Sequence, residues 1–282
     1  MSGPAGLGQL EELARAFLRG DKTPAEPRHA STVILLRDGS GGPEAYLLRR
    51  VKGMAFAGGM HVFPGGSVDP ADAEAHTGWA GPPASQWARW FAADEPLARA
   101  LVCAAVRETF EECGVLLAGP SEHELLADVS SDEWEAERVA LEAREQSLSE
   151  LLDRRGLVLR ADLLRPFAHW ITPEVEPKRF DTRFFLAQMP AGQVCRHVGG
   201  EADERLWVRV KDALGQSLTL MPPTYTSLSD LSGYDTVRQA LDEDRQVKVV
   251  APKLVLLPDD TVKFVVPGDP DYPDLPDAEA PG

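Results

Sequence analysis

Cysteine is scarce: there are three in 282 residues, at positions 103, 113 and 195. An odd, scattered set supplies no disulfide framework, so a reducing compartment is expected. With no Cys-x-x-Cys or His-x-His spacing, zinc is not expected either, and His61 and His169 read as structural. Long apolar runs are missing. None approaches the roughly eighteen residues needed to cross a bilayer. Met1 to Gly20 carries Glu11 and Glu12 where a secretory signal would be apolar, and the final Ala-Pro-Gly is no peroxisomal tripeptide. A cytoplasmic protein without a membrane partner is expected. Basic residues are also in short supply: 29 Lys and Arg face 45 Asp and Glu, a formal charge of −16. Nucleic-acid binding depends on basic surface, so a chain this acidic is a poor candidate for it and no nucleic-acid partner is expected.

What is present is a chain of ordinary apolar content, 43%, with turn signals between short runs. Gly8 to Leu18 predicts an amphipathic helix ended by Pro24 and Pro27. Ser31–Arg37 and Ala45–Val51 flank Asp-Gly-Ser-Gly-Gly-Pro and predict a β-hairpin; Met60–Phe63 predicts a further strand. Asp94 with Pro96 predicts the start of a helix over 96–113, with Val102, Val106, Phe110 and Cys113 as its core stripe. Residues 73–93 hold Trp79, Trp87, Trp90 and Phe91, aromatics that need a packing partner. One helix is expected over 132–155, with Trp134, Leu141 and Leu148 spaced by seven, and another over 228–241. Strands are expected at 166–171, 179–187 and 206–210, and a late hairpin at 253–257 and 262–266.

Residues 107–115 read Arg-Glu-Thr-Phe-Glu-Glu-Cys-Gly-Val. In a helix, Glu108, Glu111 and Glu112 fall at i, i+3 and i+4 on one face. Gly114 suits the position just after the helix, so the cluster meets the negative end of the helix dipole. Three carboxylates repelling one another there call for a cation, and hard divalent ions with oxygen ligands are the natural choice. Upstream lies Phe63-Pro64-Gly65-Gly66-Ser67.

Together these two stretches resemble the box motif of the Nudix hydrolase superfamily. Gly66 matches its glycine, Asp72 stands where the family has Glu, and Arg107 to Val115 complete the pattern. Between Asp72 and Arg107 lie 34 residues, where the family usually has seven. An insertion there is similar to the subfamily containing a peroxisomal coenzyme A diphosphatase. The resemblance implies a Nudix-type α/β/α sandwich around a mixed β-sheet, carrying a helical and aromatic insertion and a C-terminal hairpin extension. It implies Mg²⁺ or Mn²⁺ held by Glu108, Glu111 and Glu112 with the Gly65 carbonyl. Arg107 would position a carboxylate of the box, and a phosphoanhydride would be hydrolysed.

Leu47-Leu48-Arg49-Arg50 followed by Phe-Pro-Gly-Gly is similar to the signature of coenzyme A-cleaving members. Arg49, Arg50 and Lys52 are therefore candidate phosphate contacts, and Arg179 and Arg183 form a second basic group. The general base is left open between Glu108 and the late acidic residues Glu201 and Glu204. The substrate expected is a small nucleotide, best matched by coenzyme A or acyl-coenzyme A. ADP-ribose, NADH, dinucleoside polyphosphates and a non-catalytic nucleotide-binding domain are the alternatives, and a homodimer is left open. The expected organisation is an N-terminal helix and linker over 1–28 and a hydrolase domain over 29–245. Within that domain lie insertions at 73–93 and 121–156. A hairpin over 246–266 follows, and then an acidic, Pro-rich tail over 267–282 with five prolines, five acids and no base, which reads as disordered.

Overall fold

In the computed structural model the hairpin predicted around Asp38–Pro43 forms from β1 (Arg28–Gly39) and β2 (Gly42–Arg50). Gly39 pairs with Gly42, so the turn is Ser40-Gly41, and Gly42 adopts φ 113°, which only glycine takes without strain. The structure describes residues 7–54, 57–74, 77–196, 202–257, 259 and 261–273. After α1 (Leu7–Leu18) and the hairpin come β3 (His61–Val62), β4 (Gly65–Ser67) and the single turn α2 (Pro70–Ala73). The aromatic insertion forms β5 (Gly78–Ala80) and α3 (Ala84–Phe91), and leads into α4 (Glu95–Cys113). Next are β6 (Ala118–Gly119), α5 (Asp132–Glu142), α6 (Leu148–Arg155), β7 (Val158–Arg160), β8 (Leu164–Ile171), β9 (Phe180–Gln188) and β10 (Ala202–Arg209). The chain closes with α7 (Val210–Ala213), α8 (Pro222–Leu231), α9 (Val237–Asp242), β11 (Val249–Val250), β12 (Lys253–Leu256) and β13 (Val262–Val265).

The chain divides into two compact units. The larger comprises His29–His169 and Thr182–Lys248. Its sheet runs β10-β2-β1-β9-β8, with β3 added on β2 and β4 on β1. Along β1 and β2, side chains alternate between faces. Val33, Leu35, Tyr46 and Leu48 share a buried cluster with Leu101, Val102, Val106 and Phe110 of α4. Ile34, Leu36, Ala45 and Leu47 point the other way and are also fully buried, so the sheet is covered on both faces. This is the α/β layering expected from the alternation of short strands and helices.

Residues 73–93 are built into this core. Trp87 and Phe91 are buried and meet Phe185 of β9, tilted and edge-on, at ring-centroid distances of 5.4 and 5.1 Å. The strand of this insertion, β5, pairs in parallel with β7, Trp79 opposite Leu159, and β6 pairs on the other side of β7. The aromatic insertion is therefore stitched to the strand that follows the helical one.

Two predicted helices are each divided. The expected single helix over 132–155 breaks because Arg144 takes a left-handed φ of 58° and Ser147 starts a new helix. Ser147 and Glu150 exchange hydrogen bonds in a capping box, which satisfies the free N–H groups of α6. Leu141 and Leu148 are buried in the unit's own core, and Trp134 meets Phe110 edge-on. The helix expected over 228–241 likewise becomes α8 and α9, because Thr236 caps α9 with Gln239.

The smaller unit comprises Met1–Arg28, Trp170–Asp181 and Val249–Gly282. Its hairpin pairs Lys253 with Val265 and Leu256 with Val262, and α1 packs on β12. The first residues of the expected tail are ordered: Tyr272 donates to the Ala251 carbonyl at 2.9 Å, and Lys263 bridges Asp269 and Asp271. Residues 274–282 lie outside the described residues.

Candidate active site

Helix α4 forms where the sequence predicts, for local reasons. Asp94 accepts the Leu97 N–H at 2.8 Å, Pro96 occupies the first turn, and Gly114 ends the helix at φ 69° with its N–H on the Phe110 carbonyl. Ser31 Oγ donates to the Leu101 carbonyl at 2.7 Å and ties the helix to β1. Thr109 fits a buried site because its hydroxyl is satisfied by the Ala105 carbonyl, 2.7 Å away.

The last two turns of α4 carry the carboxylates, and Arg107 gathers them. Its Nε and Nη2 fork onto Asp72 at 3.0 Å each, and Nη2 also donates to the Ser67 carbonyl. Its Nη1 reaches Glu108 at 2.7 Å and Glu111 at 3.2 Å. Asp72 in turn accepts the Asp69 N–H and closes the capping box of α2. One guanidinium thus locks the Gly-Gly segment, α2 and α4 together. Charge-assisted bonds of this kind are roughly twice as strong as neutral ones.

The Gly65-Gly66 segment comes against the same end of the helix. Gly65 donates its N–H to Glu112 Oε2 at 2.7 Å. A Cβ on Gly65 would lie 2.4 Å from the Ser31 carbonyl oxygen, and one on Gly66 would lie 2.5 Å from Glu108 Oε1. Only glycine allows backbone and carboxylate this close. Burial pushes Glu108 up to about 7 against the pull of Arg107, with Glu111 and Asp72 adding to the rise. Burial raises Glu111 and Asp72 in the same way. Among the described residues, no three His, Cys, Asp or Glu side chains converge as a ready metal cage. The carboxylates of Glu108 and Glu111 rest on Arg107, and that of Glu112 rests on the Gly65 N–H.

A further arginine reaches this helix end from the helical insertion. Arg138 is buried on α5, pairs with Glu135 and Glu142, and donates to the Glu111 carbonyl at 3.0 Å. A cation there offsets the negative end of the α4 dipole. Nothing in the sequence distinguishes Arg138 from an ordinary surface i,i+4 pair, since its target is a main-chain oxygen 27 residues away.

The other candidates divide by strand face. Arg49 ion-pairs with Asp203 and Glu204 at 2.7 Å, and Glu204 lies 3.7 Å from His61 Nε2. These residues stand opposite one another across β10, β2 and β3. They occupy the face of β2 away from Tyr46 and Leu48, so Arg49 and Glu204 are drawn to each other and not to the α4 side. Arg50 lies on the α4 side, half-buried, and Lys52 is exposed. Arg183 is buried on β9, 3.5 Å from His29 Nδ1. Arg179 belongs to the smaller unit, where it bonds the Thr172 and Ala25 carbonyls. Glu201 lies outside the described residues. Burial raises the Cys103 and Cys113 thiols, as in small core residues and unlike nucleophiles.

No family model matches the sequence. A crystal structure of a NUDIX hydrolase from Alicyclobacillus acidocaldarius superposes with a TM-score of 0.65 and 32% identity, covering 78% of this chain and 97% of that one. The chain belongs to the Nudix hydrolase family. It is therefore an enzyme of a family that acts on phosphoanhydrides and generally uses divalent metal ions such as Mg²⁺. Among curated Nudix relatives, the acyl-coenzyme A diphosphatase NUDT19 of Gallus gallus is 27% identical over 89% of this chain and 81% of its own length. The Xenopus laevis protein of the same name is 23% identical over 83% of this chain and 72% of its own. Among the described residues of this Nudix hydrolase, no helix is long and apolar enough to cross a membrane.

Proposed function

We propose that the chain hydrolyses the diphosphate of coenzyme A and acyl-coenzyme A, with Mg²⁺ or Mn²⁺ bound by Glu108, Glu111 and Glu112 and the Gly65 carbonyl. The observation that carries the substrate is the similarity to the chicken acyl-coenzyme A diphosphatase along most of both chains. The donor set supports the ion: carboxylate and carbonyl oxygens suit a hard divalent cation, and sulfur and imidazole are absent from the cluster. The glycine cradle supports it as well, since it lets the main chain approach Glu108 closely. Such an ion supplies charge neutralisation at the phosphoryl oxygens and a more acidic water.

The protein's own share is positioning and proton transfer. Arg107 fixes Glu108 and Glu111 relative to Asp72, so the acidic face is set before substrate arrives. In the reaction, a water oxygen bonds to phosphorus, the bridging P–O bond breaks, and the water proton passes to a carboxylate. Glu108, a carboxylate at the end of α4 beside Gly66, is the group we assign to accept that proton. Glu204 is ion-paired with Arg49 on the other face of β2, away from the α4 carboxylates. Cleavage would yield 3′,5′-ADP and a 4′-phosphopantetheine product. A panel of coenzyme A, acetyl-coenzyme A, ADP-ribose, NADH and a dinucleoside tetraphosphate, followed by product chromatography with Mn²⁺, tests the assignment. The highest kcat/KM is expected on the coenzyme A species; a preference for ADP-ribose would refute the substrate and leave the metal site standing.

A further inference from the structure

Many arginines of the larger unit are engaged by acids. Arg37, Arg49, Arg107, Arg138, Arg160 and Arg196 each hold a carboxylate. Arg205 on β10 does not. Its Nε is buried without a hydrogen-bond partner, and no ion pair to it forms among the described residues. A half-buried guanidinium with an unmet buried donor costs free energy, so its retention in an acidic chain needs a reason.

Its position supplies one. Arg205 pairs with Leu48 and Trp207 with Tyr46, and directly opposed residues share a sheet face. Leu48 and Tyr46 belong to the cluster packed on α4, and Trp207 packs against it. Arg205 therefore stands on the α4 side, the reverse of its chain neighbour Glu204. Burial raises the Tyr46 hydroxyl, Glu112 adds to the rise and Arg205 opposes it. The arginine and the last box glutamate thus both act on Tyr46, on the α4 side of β2.

We propose that Arg205 is a substrate-binding residue, its guanidinium completed by phosphoryl oxygens of the diphosphate being cleaved. This rests on the hydrolase reading above and adds to it an anion contact facing the metal-binding carboxylates. A planar fork beside an acidic cluster selects an oxyanion that brings its own divalent ion. The adjacent Arg49 is excluded from this role by its two carboxylate partners.

The test compares wild type with Arg205→Gln and Arg205→Lys in steady-state hydrolysis of coenzyme A at saturating Mn²⁺. Calorimetric binding of inorganic pyrophosphate and of pantetheine is measured alongside. Arg205→Gln is expected to raise KM and weaken pyrophosphate binding by about 10–100-fold, the range for a lost charge-assisted bond. Half-saturation by Mn²⁺ and pantetheine binding should stay unchanged, and Arg205→Lys should fall between. Wild-type KM and pyrophosphate affinity in Arg205→Gln would overturn the proposal, as would a loss confined to Mn²⁺ affinity. If the Gln variant melts early, Arg205→Lys carries the same comparison. Should coenzyme A prove not to be a substrate, pyrophosphate binding still decides the matter: equal affinity in wild type and variant would overturn the Arg205 contact on its own.

Discussion

Arg107 makes contacts with Asp72, Glu108, Glu111 and the Ser67 carbonyl while nearly shielded from solvent. Lysine has the charge but not the fork, so it cannot bridge three carboxylates at once. Arg107→Lys should keep the fold and lower kcat/KM or Mn²⁺ affinity by about 10–100-fold, the usual loss for a residue orienting a metal ligand. Activity within twofold of wild type would show that the carboxylates hold their places unaided. Glu108 carries the pH dependence. Its folded pKa, about 7, lies above its ordinary value of 4.5, so the folded state binds the proton more tightly than the unfolded state. That contribution is present in full below about pH 4.5 and is lost as pH rises through 7. In EDTA, the melting temperature should fall between pH 5 and 7.5, and Glu108→Gln should flatten the fall; equal slopes would remove burial of Glu108 as its cause. The spacing of the glutamates revealed this face directly. Arg205 was not legible, because nothing along the chain marks which neighbour of Glu204 turns toward α4.

At the level of elements, helix ends decided most departures from expectation. Periodicity correctly indicates helix across 132–155 and 228–241, yet Ser147 and Thr236 each restart a helix with a side-chain cap. Apolar spacing gives no warning of such breaks, since Leu141 and Leu148 are buried on either side of the first one. Ser147→Ala should cost about 1 kcal/mol of stability by removing the cap. A larger fall in chemical-denaturation midpoint is expected for Trp87→Ala, about 3–5 kcal/mol, because that ring fills the space between α3, α4 and β9. If Trp87→Ala costs no more than Ser147→Ala, the insertion is not part of the core. Its aromatic content announced a packing role. Its pairing to β7 did not show, because β5 is three residues long and its partner lies about eighty residues away.

For the whole molecule, a charge of −16 and an anionic substrate are compatible only if bound cations reverse the field where the chemistry occurs. The hydrolase layering was readable because hairpin, glycine turn and box helix follow one another in sequence. The division into two units was not, since the smaller one draws its segments from both termini and from residues 170–181. In the proposed reaction, the acidic end of α4 binds the ion that makes the enzyme work. Glu112→Gln tests it, because the amide oxygen can still accept the Gly65 N–H and preserve the turn. The decisive measurement is coenzyme A hydrolysis by wild type and Glu112→Gln across a Mn²⁺ titration, read as release of 3′,5′-ADP. Saturable Mn²⁺ activation is expected in wild type, with a loss in the variant beyond the ~10–100-fold of supporting residues and unchanged melting in EDTA. Matching Mn²⁺ curves and turnover in the two proteins would contradict it.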